Sequence, residues 1–132
     1  MRMSIIILFC FLTLRLIAPS NHIIYLTELE AIKPYEAIIR AVTIVESAGD
    51  TYALNKREGA YGSLQIRQIK LDWYYNKTGI CYKLTDCFKE SVSREIFIYH
   101  MSQYSDIEEG IKKWNGSGKK TIEYLIKVKK IL

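Results

Sequence analysis

The segment Tyr35–Glu46, YEAIIRAVTIVE, is apolar around nearly its whole circumference at the 3.6-residue period, and Lys33-Pro34 ahead of it suits the first turn of a helix. A helix of this kind is stable only with other elements packed around it, so the chain is expected to build one core about this segment. Its single polar stripe is Glu36, Arg40, Thr43 and Ser47, spaced by three and four. Glu46 lies outside that stripe, on the face of Val42, Ile39 and Ile38, which places a carboxyl group against apolar surface.

Other helical patterns follow it. Residues 48–62 lose the helical period and carry Gly49, Gly59 and Gly62, which reads as a loop or a short irregular hairpin. Ser63–Lys77 resumes a helical pattern and stops before Gly79. A further helix is expected from a cap at Thr85-Asp86 or Ser91, carrying Val92, Ile96, Tyr99 and Tyr104. Asp106–Trp114 and Thr121–Leu132 complete the series, separated by Asn115-Gly-Ser-Gly118. The expected fold is mainly α, with five or so short helices around one buried central helix and a small loop or hairpin insertion.

The N-terminus has a different character. Arg2, an apolar run from Ile5 to Leu14 and Ala18-Pro19-Ser20 read as a secretory signal, with cleavage after Ser20 and a mature domain over residues 21–132. Arg15 interrupts the apolar run well short of the about 20 residues a spanning helix needs, so no stable membrane insertion is expected once the signal is removed. The protein is then periplasmic or secreted. The remainder holds 17 basic and 14 acidic residues, a mild excess of +3, which together with export argues against nucleic acid as partner and suits an anionic envelope polymer. Two cysteines stay with it, Cys81 and Cys87, which permit a disulfide or remain as two half-buried thiols. His22 and His100 are remote from both and no Cys-x-x-Cys occurs, so no metal site is expected.

The informative constellation is Glu46-Ser47 at the end of the apolar helix, Ala60-Tyr-Gly-Ser-Leu-Gln-Ile66 after the loop, Trp114-Asn-Gly-Ser-Gly118, and Thr121-x-x-Tyr124-x-x-x-Val128. In this order the pieces resemble the lysozyme-like lytic transglycosylases of the soluble-lytic-transglycosylase type, related to goose-type lysozyme. The resemblance covers roughly residues 35–130. It implies an α+β lysozyme-like fold and a catalytic acid at Glu46, in agreement with the desolvated position of that carboxyl, where a raised pKa would keep a proton available for a glycosidic oxygen.

The same resemblance implies that Gly62 and Gln65 stand for the family's Gly-x-x-Gln element, with backbone close to the cleft and the glutamine amide facing sugar. As a purely structural pair, Gly62 would serve a turn and Gln65 would cap or decorate the next helix. Leu64 replaces a frequent methionine. Trp114-Asn115 stands for Tyr-Asn, so an indole face replaces a phenol while Asn115 keeps an amide to offer; otherwise Asn-Gly simply ends a helix. Tyr124 matches a tyrosine whose hydroxyl points at the acid, or is a core tyrosine. Ser47 helps to position the acid or the substrate, and Tyr61 is a sugar platform or a packing residue.

A hydrolytic lysozyme needs a second carboxylate. Asp50 and Glu58 are the nearby candidates, neither where goose-type lysozymes place theirs, and Arg67 follows the Leu-Gln-Ile element where such enzymes tend to carry an acid. The resemblance therefore implies a peptidoglycan lytic transglycosylase that cleaves the β-1,4 bond between N-acetylmuramic acid and N-acetylglucosamine, leaves a 1,6-anhydro end and uses no cofactor. The alternatives are a muramidase on the same fold, or a non-catalytic module for peptidoglycan binding or for an envelope-spanning assembly.

Overall fold

The computed structural model describes the backbone from Asn21 and side-chain environments over Pro34–Leu132. The expected signal segment, residues 1–20, lies outside the described residues. In chain order the elements are α1 (Asn21–Ser47), β1 (Leu54–Asn55), β2 (Ala60–Tyr61), α2 (Gln68–Thr78), a 3-10 turn (Leu84–Phe88), α3 (Glu90–Ser102), α4 (Ile107–Asn115) and α5 (Lys120–Lys129). The fold is mainly α with a small antiparallel hairpin, in which Leu54 pairs with Tyr61 and Asn55 with Ala60. Among the described residues no helix is long and apolar enough to cross a membrane.

Each helix buries the residues its period selects. In α5 these are Thr121, Tyr124, Leu125 and Val128, and in α3 they are Val92, Ser93, Ile96, Phe97, His100 and Met101. Ile38, Ile39, Ala41 and Val42 of α1 join Leu64, Ile66, Phe97 and Ile111 in one core. The burial of α1 is not complete all round, because Ala37, Arg40 and Ile44 face solvent.

Several boundaries differ from those read in the sequence. Helix α1 already includes Asn21, so Pro34 lies inside it rather than at its first turn, and the helix carries a residue with no N–H to donate. The helix expected over Ser63–Lys77 starts only at Gln68. Residues 61–66 instead close a tight turn: Tyr61 and Ile66 exchange two backbone hydrogen bonds of 2.9 Å, with Gly62 at φ 77° and Gln65 at φ 48°. Left-handed backbone at two places in six residues excludes a helix there. Helix α3 follows a 3-10 turn capped by Asp86, whose Oδ2 accepts from the Lys83 N–H at 2.9 Å, and it ends before Tyr104. Asp106, the first residue of the expected stretch, caps α4 by accepting from the Glu108 N–H at 2.9 Å.

The reason for glycine at position 62 is steric. A methyl built there would lie 2.1 Å from the Cys87 carbonyl oxygen and 2.9 Å from its carbon. That oxygen already accepts a 2.7 Å bond from the buried Ser93 hydroxyl. The turn and the 3-10 segment are thus in backbone contact, and only glycine fits between them.

Of the two states open to Cys81 and Cys87, a bridge or two thiols, the structure shows the thiols. Both cysteines are free, Cys81 exposed and Cys87 fully buried in the core. Burial pushes the Cys87 thiol up to about 12, so it behaves as a small apolar side chain rather than as a nucleophile.

Candidate active site

Glu46 sits in the last turn of α1, four residues after the buried Val42, and is half-buried. Its backbone position is held by the next residue. The Ser47 hydroxyl lies 3.1 Å from the Thr43 carbonyl and 2.8 Å from the carbonyl of Ser63, the second of which ties the end of α1 to the tight turn. Ser63 is itself buried and donates to Glu90 at 2.9 Å. Ser47 is therefore a strut between two chain segments and lines no cleft with Glu46.

The Tyr124 hydroxyl donates to Glu46 Oε1 at 2.7 Å, across 78 residues of sequence. Tyr124 comes from the buried face of α5, where Thr121 fixes the first turn through a 2.7 Å bond to the Gly118 carbonyl. Burial raises the Glu46 carboxyl above its ordinary value of 4.5, and the nearby Glu58 adds to this; the Tyr124 hydrogen bond and the Arg67 charge oppose it. The Tyr124 phenol is raised in turn, first by burial and then by the Glu46 carboxylate, so it stays a hydrogen-bond donor.

An open cleft lies beside this carboxyl. Glu46, Gln65, Trp114 and Asn115 line it, together with Glu58 and Asn55 of the hairpin and Arg67 and Lys70 at the start of α2. Of the residues singled out in the sequence, Glu46, Glu58, Gln65, Arg67, Trp114 and Asn115 share this cleft, and Tyr124 reaches it through Glu46. Tyr61 and Gly62 do not line it. Tyr61 is half-buried and packs on Phe88, ring centroids 5.5 Å apart, outside the lining of this cleft. Gly62 is buried against Cys87 and approaches no cleft surface.

Gln65 departs from expectation in a second way. Its Nε2 donates to the Gly62 carbonyl at 2.9 Å and to the Ala53 carbonyl at 3.3 Å, so the amide nitrogen closes the turn onto the hairpin. Only its oxygen is left to offer. Trp114 is buried edge-on against Phe97 (4.8 Å) and His100 (5.1 Å), so its ring is a cleft wall built into the core. Asn115 is the last residue of α4, and its side-chain amide makes no hydrogen bond among the described residues.

Asp50 is excluded from the site, since its Oδ1 accepts from the Tyr52 N–H at 2.8 Å in the turn after α1. Glu58 lines the cleft and is paired with Arg57 at 3.7 Å. Lys70 is a cleft residue that helical spacing does not single out. Among the described residues no group of three or more His, Cys, Asp or Glu is arranged to hold a metal ion. Comparisons with protein-family models, with curated proteins and with solved structures find no match to this chain.

Proposed function

We propose that the chain is an exported glycan-cleaving enzyme of the lytic transglycosylase kind, acting on peptidoglycan strands with Glu46 as its only acid and base. The observation that carries this reading is a half-buried carboxyl with a raised pKa, on the wall of an open cleft and held by a buried tyrosine. Protonated Glu46 donates to the glycosidic oxygen as the bond to the anomeric carbon breaks, leaving an oxocarbenium-like centre. The resulting carboxylate then takes the proton of the same sugar's C6 hydroxyl, whose oxygen attacks the anomeric carbon and closes the 1,6-anhydro ring. Tyr124 stabilises the carboxylate between these two transfers. The Gln65 oxygen and the Asn115 amide are suited to the acetamido groups of such a strand.

Glu58 favours a second reading. It brings another carboxylate into the cleft, as a hydrolase that activates water would require. Mass spectrometry of the soluble products from purified peptidoglycan separates the two. Anhydro-muropeptides from the wild-type chain and none from Glu46→Gln support the transglycosylase; reducing ends that depend on Glu58 support the muramidase. Retention on the wall without products would instead identify a binding module.

A further inference from the structure

Arg67 and Lys70, one helical turn apart, place two positive charges on the wall of the cleft that holds Glu46. Neither takes part in an ion pair among the described residues, whereas Glu58 has Arg57 and the other ion pairs lie elsewhere on the surface. Lys70 is not a mobile surface lysine. Its Nζ stands 4.6 Å above the Trp114 ring and 5.6 Å from that of Trp73, and 3.4 Å from His100 Nδ1.

His100 fixes the direction of that last contact. Its Nε2 is 2.9 Å from the Gly110 carbonyl, which can only accept, so Nε2 carries the proton and Nδ1 presents a lone pair to the ammonium. Burial, with the Lys70 charge beside it, holds the imidazole down to about 4 and therefore neutral. Lys70 spends one N–H on His100 and rests on two indole faces, which attract it without neutralising it. Two further N–H donors remain. The acidic and basic side chains that line the cleft besides Glu46 are Arg67, Lys70 and Glu58; burial and the Arg67 charge hold the Lys70 ammonium down to about 8, which leaves it the charged form near neutral pH.

We propose that Arg67 and Lys70 form a carboxylate-binding subsite beside Glu46, which selects glycan strands carrying an acidic substituent next to the bond to be cleaved. This rests on the glycan-cleaving reading and names the part of the substrate that the cleft distinguishes. In a peptidoglycan strand the carboxylate has two sources, the lactyl group where the peptide stem has been removed and the acidic residues of the stem where it is present.

The test is calorimetric titration of the full chain carrying Glu46→Gln with three soluble ligands of equal sugar number. These are a neutral chitooligosaccharide, a stem-free strand with its lactyl carboxylates, and a strand bearing stems. One charge-assisted contact corresponds to about ten-fold in affinity or more, so at least one anionic strand should bind about ten-fold more tightly than the neutral oligomer. Lys70→Met and Arg67→Gln should each remove most of that preference, weakening the anionic strands about ten-fold more than the chitooligosaccharide. Whichever strand shows the preference identifies the carboxylate. Arg67 is exposed, so Arg67→Gln remains a valid test if Lys70→Met disturbs the packing on Trp114. Equal binding of neutral and anionic ligands, or variants that weaken all three equally, would overturn the subsite while leaving the glycan reading in place. Failure of every ligand to bind would overturn both.

Discussion

Gly62→Ala tests the account of how the cleft is assembled, because its cost can be worked from the structure. Two effects add. The residue sits at φ +77°, where a side chain costs about 1–2 kcal/mol. The new methyl would also lie 2.1 Å from the Cys87 carbonyl oxygen, a backbone atom that cannot turn aside. Moving the 3-10 segment away pulls that carbonyl from the buried Ser93 hydroxyl, now at 2.7 Å, and an unmet buried acceptor costs about 1–3 kcal/mol. The total is roughly 2–5 kcal/mol, which for a domain of this size lowers Tm by roughly 8–40 °C. Gly59→Ala is the matched control. It has a similar backbone, φ +62°, with nothing within 4 Å of the added methyl, so only the conformational cost of about 1–2 kcal/mol applies. Thermal unfolding of both variants followed by circular dichroism decides the matter. If Gly62→Ala costs no more than Gly59→Ala, the steric explanation is wrong and the turn yields more easily than this packing allows.

Other expectations follow from the titrating groups and the thiols. Because the Glu46 pKa is raised, the folded state keeps a proton that the unfolded chain releases near 4.5, and the group costs stability as pH rises past that value. Glu46→Gln should therefore abolish glycan cleavage yet leave the fold more stable at pH 7 than the wild type, measured by urea unfolding; an inactive variant that is also less stable would contradict the desolvated carboxyl. Tyr124→Phe removes the hydroxyl that favours the carboxylate, so the Glu46 titration, read by carboxyl NMR, should move further up, and cleavage should fall about ten-fold. An unchanged titration would deny the contact. His100 has the opposite sign: held at about 4 when folded and 6.5 when free, it binds its proton first in the unfolded chain. Stability of the Glu46→Gln chain should drop by about 3 kcal/mol from pH 7 to pH 4, and a flat profile through this window would refute the burial of a neutral imidazole. Alkylation of the native protein followed by peptide mapping should label the exposed Cys81 and spare Cys87, whose modification at an equal rate would place it outside the core.

Much of the helical framework was legible in the sequence because it depends on neighbours three and four residues apart. Thr121, Tyr124 and Val128 on the buried face of α5, Val92 and Ile96 on that of α3, and the carboxyl of Glu46 on the side of Val42 and Ile39 follow from that spacing, whereas Tyr99 and Tyr104 stay half-buried and Phe97, His100 and Met101 complete the α3 face. The stretch after Gly62 misled for the same reason. Leu64 and Ile66 are apolar at intervals a helix accepts, but two left-handed residues turn the chain back on itself and bury both in a tight turn.

What the chain order alone determined is a mainly α fold with an acid set on an apolar helix face. The tertiary structure decided which groups meet that acid. The 78 residues between Glu46 and Tyr124 leave no local trace of their hydrogen bond, and nothing near Lys70 in sequence announces the indole of Trp114 or the lone pair of His100. Periodicity fixes the side of a helix on which a residue lies. Which partner stands opposite depends on how loops close, and here the closure rests on a glycine against a carbonyl and a glutamine amide spent on two backbone oxygens.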